Sequence, residues 1–246
     1  KIQNKVKFDM IDHPNELKAD WINRDKVTIS QKLFLFSDNR VVGINHFSQG
    51  KDQNSRNCYF NIYLDPKFNR LKNFQRLYNE MVVRIKVFDC NRLFPWAWDH
   101  DNYKNYIKFL MINGFESVQE YKEYKLEIDS VNLEEYDDLL KKMYYDMGIR
   151  VYDSRDEMQD FKDHYKKLES LIWDYVQDEP IMPGDTYIRD TFEVWLKKHK
   201  YFETHCYGVE LVAVKAKNGE YIGSTDLRVN KKSEPHRAYT LGLGVK

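Results

Sequence analysis

The sequence predicts an α+β fold, with a mixed, mostly antiparallel sheet flanked by helices, in two tandem copies of which the second is incomplete. Three observations predict it. Runs rich in aromatic and β-branched residues, such as 58–64, read as strands. They alternate with helical stripes, the clearest being Phe74, Leu77, Tyr78, Met81, Val82, Ile85 and Phe88 at steps of three and four. The hairpin, loop and third strand after residue 208 repeat the order of elements over 32–65, a coarse internal repeat.

In chain order, residues 1–30 are polar, with Trp21 and Ile22 as isolated apolar anchors. Residues 32–36 and 41–47 form a hairpin turned by Ser37, Asp38 and Asn39. A polar loop over 49–57 leads to the strand 58–64 and the amphipathic helix. Residues 92–98 are a strand that Pro95 confines to a sheet edge or a bulge. Tyr103, Tyr106, Ile107, Leu110 and Met111 mark the next helix, and Asn113-Gly114 supplies its left-handed cap. Residues 115–128 read as a last pair of strands, so the domains are 1–129 and 130–246. A helical pattern resumes over 133–144, and a long helix runs from Met158 to Val176. Two prolines and a glycine break it over 180–187, and helix resumes over 188–195. A second hairpin turns at Asn218-Gly219, and 238–246 is a third strand.

Composition excludes several functions. The chain has 39 basic and 39 acidic residues, so no global field draws it to nucleic acid or an anionic membrane. Cys58, Cys90 and Cys206 lie far apart without a CxxC pair, which argues against a zinc or redox motif and suits a reducing cytoplasm, the expected location. No apolar run nears the about 20 residues that span a bilayer. The seven histidines show no metal-binding spacing, and there is no GxSxG, Walker or GxGxxG motif, so no metal site is expected.

The segment 58–88, closing with YIKFLMINGF at 106–115, resembles the core of the GNAT acetyltransferase superfamily. Its strand ends at Asp65-Pro66 and is followed by a basic loop, a helix, a strand, a second helix and a Gly-Phe turn. The resemblance implies acyl transfer from acetyl-CoA, or another acyl-CoA, to an amine. It places the cofactor where the loop meets the helix, because unpaired helix N–H groups hold a pyrophosphate. Asn69 stands at the family's Arg/Gln position, and Lys72 and Phe74, flanking Asn73, stand where the family has small residues. Lys72 is a point charge for phosphate, and Phe74 fills the groove or the core. Ile62, Tyr63 and Leu64 end the strand that would pair with the pantetheine arm. Leu110 occupies the position of the family's acid tyrosine, so the first copy reads as degenerate. An ordinary strand-turn-helix with a solvated basic turn is the other reading of the loop.

GEYIGSTDLRVN, followed by HRAYTLGLGVK, resembles a subgroup of tandem GNAT proteins with the layout of mycothiol synthases, in which the C-terminal copy is catalytic. The resemblance carries Asp226 to an acidic position, as general base or amine-orienting carboxylate, against the reading of a plain surface Asp. It aligns Leu243, Gly244 and Val245 with the pantetheine strand, and lays 180–192 over the acceptor site, unless that stretch only connects helices. The family's phosphate loop and acid-bearing helix are expected after Lys246. Either a longer chain supplies them or another chain completes the copy, a homodimer being the simplest case. The implied partner is a small-molecule or peptide amine acceptor, with no nucleic acid and no membrane. Two other readings stand: a non-catalytic GNAT scaffold binding CoA weakly or not at all, and an aminoacyl transferase using charged tRNA, against which the neutral charge argues.

Overall fold

The structure, a computed structural model, describes residues 2–6, 29–49, 56–86, 88, 90–122, 124, 126–205, 208–229, 236–240 and 242–245. Trp21, Ile22, Cys206, Lys246 and positions 50–55 of the polar loop lie outside them. The chain forms two compact units, Lys1–Glu120 with Ile181–Tyr187, and Tyr121–Pro180 with Ile188–Lys246. The partition thus changes at Glu120 rather than after Asp129, and most of the Pro/Gly stretch belongs to the first unit.

In the first unit, α1 is Ile2–Val6, and the strands are β1 Ile29–Ser37, β2 Arg40–Gln49, β3 Asn57–Leu64 and β4 Arg92–Pro95. They form one sheet in that order, antiparallel except that β4 runs parallel to β3. Pro95 therefore sits on an edge strand, where its missing N–H costs no ladder bond. Asp38 and Asn39 turn the β1–β2 hairpin with φ of 49° and 60°, the pair of left-handed residues a tight hairpin needs. Helix α2, Leu71–Ile85, buries Phe74, Leu77, Met81 and Ile85 on its core side. Helix α3 is Lys104–Ile112, and Gly114 caps it at φ 81°. The Phe115 N–H returns to Leu110 O at 3.1 Å and the Gly114 N–H to Met111 O at 3.1 Å, a Schellman cap. That cap delivers Phe115 against Phe60 and Tyr78 instead of into a strand. The strands expected over 115–128 do not form among the described residues.

In the second unit a helical run over 133–146 contains α4, Asp137–Lys141, and leaves Leu133, Leu139 and Leu140 exposed. β5 (Ile149–Asp153) is a strand that the sequence pattern did not reveal. α5 is His164–Val176 and α6 is Phe192–His205. The expected start at Met158 fails because Asp163 adopts φ 55°, which breaks the helical path, although Met158 is fully buried in the turn before it. The last helix begins at Phe192 rather than at Ile188. β6 (Val209–Lys215), β7 (Glu220–Val229), β8 (Ala238–Tyr239) and β9 (Leu243–Val245) complete the sheet, with β8 and β9 pairing with separate parts of β7. The single third strand expected over 238–246 is thus two strands. Among the described residues no helix is long and apolar enough to cross a membrane.

The two hairpins share a register. In the first, Leu35 faces Gly43, a bulge follows, and Phe36 faces Val41. In the second, Ala213 faces Gly223, a bulge follows, and Val214 faces Tyr221. The third strands continue the match: Gly43, Ile44 and Asn45 face Leu64, Tyr63 and Ile62, as Gly223, Ser224 and Thr225 face Val245, Gly244 and Leu243.

Two stability effects follow. A Cβ at Gly43 would lie 2.6 Å from Leu64 Cδ2 and 3.2 Å from both Leu35 and Leu77. Gly43→Ala should cost about 1–3 kcal/mol in denaturant unfolding of the first unit. In the second unit, burial holds His164 down to about 4, with His199 and Lys200 adding to the effect and Glu203 opposing it. Its Nδ1 meets Tyr221 Oη at 2.9 Å. The folded value lies below the unfolded one, so the unfolded state binds the proton more readily. Stability should be full above the ordinary histidine range and fall as pH drops through it towards 4, by about 3 kcal/mol in all. Denaturation at a series of pH values should show His164→Phe flattening that decline.

Candidate active site

The first unit's loop after β3 is closed on itself. The Asp65 carboxylate, 3% exposed, binds Lys5 Nζ at 2.6 Å and Arg40 at 3.3 Å, and accepts the Lys67 N–H at 3.2 Å. The Lys5 hydrogen bond, with the Lys67 amide and the Arg40 charge, holds its carboxyl below the usual range against burial. The next amides are also engaged: Phe68 N–H to Asp65 O at 2.7 Å, Asn69 N–H to Pro66 O at 3.4 Å and Arg70 N–H to Phe68 O at 2.8 Å. A phosphate would meet few free loop amides before the first turn of α2.

The site residues expected there divide. Phe74 is 3% exposed and stacks on Tyr106 and Phe109, so it is core. Asn73 braces the loop through Nδ2 to Phe68 O at 2.8 Å. Asn69 passes its carbonyl to Asn105 Nδ2 at 2.9 Å. Lys72 alone stays available, and with Lys67, Arg70 and Arg76 it lines a pocket of about 260 Å³ beside Leu35 and Val42. None of these four cations makes an ion pair among the described residues.

Ile62, Tyr63 and Leu64 lie where β3 loses its neighbour. The parallel pairing with β4 covers only Asn57–Phe60, and Asn61 Oδ1 takes the Trp96 N–H at 3.1 Å as the strands part. The Ile62 and Leu64 side chains are core, each 2% exposed. The Tyr103 and Tyr106 hydroxyls are buried without a partner of good geometry. Burial pushes Tyr103 up to about 12 and Tyr106 higher still, the latter against the pull of the Ile62 amide and with Tyr63 close by. The sequence placed these tyrosines in the core, and their rings are there, but the Tyr106 hydroxyl lies beside Ile62 and Tyr63 on the open stretch of β3. Leu110, at the expected acid position, is 8% exposed and packs in the core.

In the second unit the polar groups gather on the face of β6 and β7 that packs against α5. Asp226 Oδ1 takes the Gly242 N–H at 2.9 Å, and Oδ2 takes Arg228 Nε at 3.2 Å. Glu210 is its cross-strand partner and is 5% exposed. Burial pushes the Glu210 carboxyl above the usual range and Asp226 adds to this, while the Ser224 hydrogen bond and His199 pull it down. Ser224 Oγ meets Tyr175 Oη at 2.9 Å. The Tyr175 ring lies on Gly244, where an added Cβ would be 2.0 Å from the ring. Gly244 thus sits beneath an aromatic lid, while Leu243 and Val245 on either side are 77% and 73% exposed. The segment 181–187, expected over an acceptor site, hydrogen-bonds within the first unit. Asp185 accepts from Asn57 Nδ2 at 2.8 Å and from the Tyr59 hydroxyl, and Pro183 O accepts from Arg92 at 2.7 Å.

The sequence reading missed Glu210, Ser224 and Tyr175. A signal for Glu210 was present: it occupies the same alternating phase as Val212 and Val214, which are buried. Tyr175 merged into an apolar helical stripe. Among the described residues no group of His, Cys, Asp or Glu could hold a metal. Contrary to their sequence separation, Cys58 and Cys90 meet, and burial, helped by Cys90, pushes the Cys58 thiol far up, leaving it an inert core group.

Solved structures share this architecture. A tandem GNAT protein from the clavulanic acid biosynthesis pathway, in a form without acetyl-CoA, matches 92% of the chain at a TM-score of 0.55 and 14% identity. The chain has the GNAT fold. A GCN5-related N-acetyltransferase from Sphaerobacter thermophilus matches 94% of it at a TM-score of 0.53 and 11% identity. The chain covers 67% and 65% of those two proteins. No protein-family model and no curated protein matches it. In GNAT terms, Leu243, Gly244 and Val245 hold in the second unit the register places of Ile62, Tyr63 and Leu64 in the first. Asp226 and Glu210 correspondingly hold the places of His46 and Lys32.

The lid makes Gly244 testable. Gly244→Ala must displace the Tyr175 ring and with it the bond to Ser224. Melting of the second unit should drop by the equivalent of about 1–3 kcal/mol, with the first unit's transition unchanged.

Proposed function

We propose that the protein transfers an acyl group from an acyl-CoA, acetyl-CoA in the simplest case, to a primary amine. One observation carries this reading: on a GNAT fold, the carboxylates of Glu210 and Asp226 stand on the same face as Tyr175, which covers Gly244. An amine must lose a proton before it can attack a thioester, and carboxylates at the site both attract the ammonium and take up that proton. When bound, the cofactor supplies the activated acyl carbon.

The residues suit the cofactor unequally. An open strand edge pairs with an amide-bearing arm as it would with another strand. β9 beside Gly244 and β3 past Phe60 both offer such edges among the described residues. The loop at α2 does not offer the amide cradle expected for pyrophosphate, so charge on Lys67, Arg70, Lys72 and Arg76 takes that role in the first unit. Asp226, with both oxygens engaged, orients the site and anchors the turn at Gly242.

Calorimetric titration with acetyl-CoA, paired with detection of free thiol in the presence of a panel of primary amines, tests the reading. Saturable binding with amine-dependent thiol release is expected, and the absence of both would overturn it. Lys72→Glu with Arg76→Glu should weaken acetyl-CoA binding about tenfold or more if the first unit holds the phosphates.

A further inference from the structure

We infer that Glu210, rather than Asp226, is the terminal proton acceptor of the second unit's site, reached through the hydroxyls of Ser224 and Tyr175. This rests on the acyl-transfer reading above and assigns a residue within it.

The argument begins with what each carboxylate is already doing. Asp226 spends one oxygen on the Gly242 amide and the other on Arg228. Both oxygens are thus committed to holding the turn at Gly242 and the Arg228 side chain. Glu210 has no ion pair among the described residues and is almost wholly buried. On the paired strand Ser224 lies two residues from Asp226, the cross-strand partner of Glu210, and on the same face, and the Ser224 oxygen is 2.9 Å from Tyr175 Oη. Tyr175 is only partly buried and borders the strand edge at Gly244, so it is the member of the chain that an amine can touch. Ser224 and Tyr175 each donate one proton and accept another, as a relay requires.

The groups facing Glu210 tune it. Asp226 on β7 raises its proton affinity, as does burial; Arg228 on β7, His199 on α6 and the Ser224 hydroxyl lower it. Tyr175 on α5 stays protonated, pushed up to about 12. Glu179, past the end of α5, is raised by burial and then by the Asp226 charge.

The step balances. The ammonium gives one proton to the Tyr175 oxygen, the Tyr175 proton passes to Ser224, and the Ser224 proton passes to the Glu210 carboxylate. The products are a neutral amine and a neutral carboxylic acid, with both hydroxyls restored. The amine lone pair then forms the C–N bond as the C–S bond breaks. The sulfur leaves with its electron pair and takes up the amine's second proton to become a thiol. Glu210 later returns its proton to water.

The test is the pH profile of kcat/KM for acyl transfer in the wild type, Glu210→Gln, Tyr175→Phe and Asp226→Asn. The wild type should lose rate on the acid side as Glu210 protonates. Glu210→Gln should lower kcat/KM by about 100-fold or more and abolish that acid limb, with its melting temperature kept as evidence of folding. Tyr175→Phe should give the same phenotype, and the double variant should be no worse than either. Asp226→Asn should keep the limb but move it to lower pH, because a negative neighbour of Glu210 is gone. A wild-type acid limb in Glu210→Gln, or its disappearance in Asp226→Asn alone, would overturn the inference. If the wild type shows no transfer, the acyl-transfer reading has failed. Glu210 is then judged by its own carboxyl titration, read by carbon NMR and identified by difference from Glu210→Gln. A midpoint above the ordinary glutamate range that n-butylamine shifts supports the assignment; an ordinary midpoint indifferent to the amine overturns it.

Discussion

Gly43 and Gly223 stand beside the bulge in each hairpin, and the rest of each unit is arranged around them. At Gly43 the missing side chain makes room for Leu64, Leu35 and Leu77, so α2 can settle on the sheet. At Gly223 an added Cβ would meet the Gly244 carbonyl at 2.9 Å, a backbone atom that cannot rotate away. The first glycine thus admits a core and the second admits a strand. The bulge also advances the alternation of side chains along β2 and β7. In the second unit it places Tyr221, Ser224 and Asp226 on the face shared with Glu210, Val212 and Val214.

The units differ in how they satisfy buried polar groups. The loop of the first turns its amides inward and neutralises Asp65 with Lys5 and Arg40, a closed arrangement in which little remains for a ligand. The first unit's buried side-chain atoms without a partner include Asn69 Oδ1 in the loop itself and, by the open length of β3, the Tyr106 hydroxyl. Such groups cost roughly 1–3 kcal/mol each when nothing answers them, which marks that stretch as a place where water or a polar ligand is welcome. The second unit pairs the Tyr175 and Ser224 hydroxyls and sets the buried Glu210 on the same face of its sheet.

Much of the fold was legible because the relevant signals are local. The stripe on α2, the aromatic strand before it and the Asn113-Gly114 cap are short-range patterns, and each is where the sequence places it. Elements decided by tertiary context were not. β5 has no alternation to announce it and exists because β6 offers it a partner. Residues 115–128 looked strand-like, but the Schellman cap sends Phe115 into the core instead. At the site, Asp226 was visible through its motif. Glu210 was marked only by its alternating phase with Val212 and Val214, and the register was needed to show that it faces Asp226 and shares that face with Ser224. Phe74 shows the converse: a residue at a family's loop position that the aromatic core absorbs.

The matched register has a consequence for how two such units come to differ. Where the second carries Glu210 facing Asp226, the first carries Lys32 facing His46, and Ser30 holds the His46 ring at 2.8 Å. The register is kept while the paired side chains change from two carboxylates to a lysine and a histidine. What the two hairpins share is backbone geometry, and a property that depends on the side chains of one is not passed to the other by the repeat.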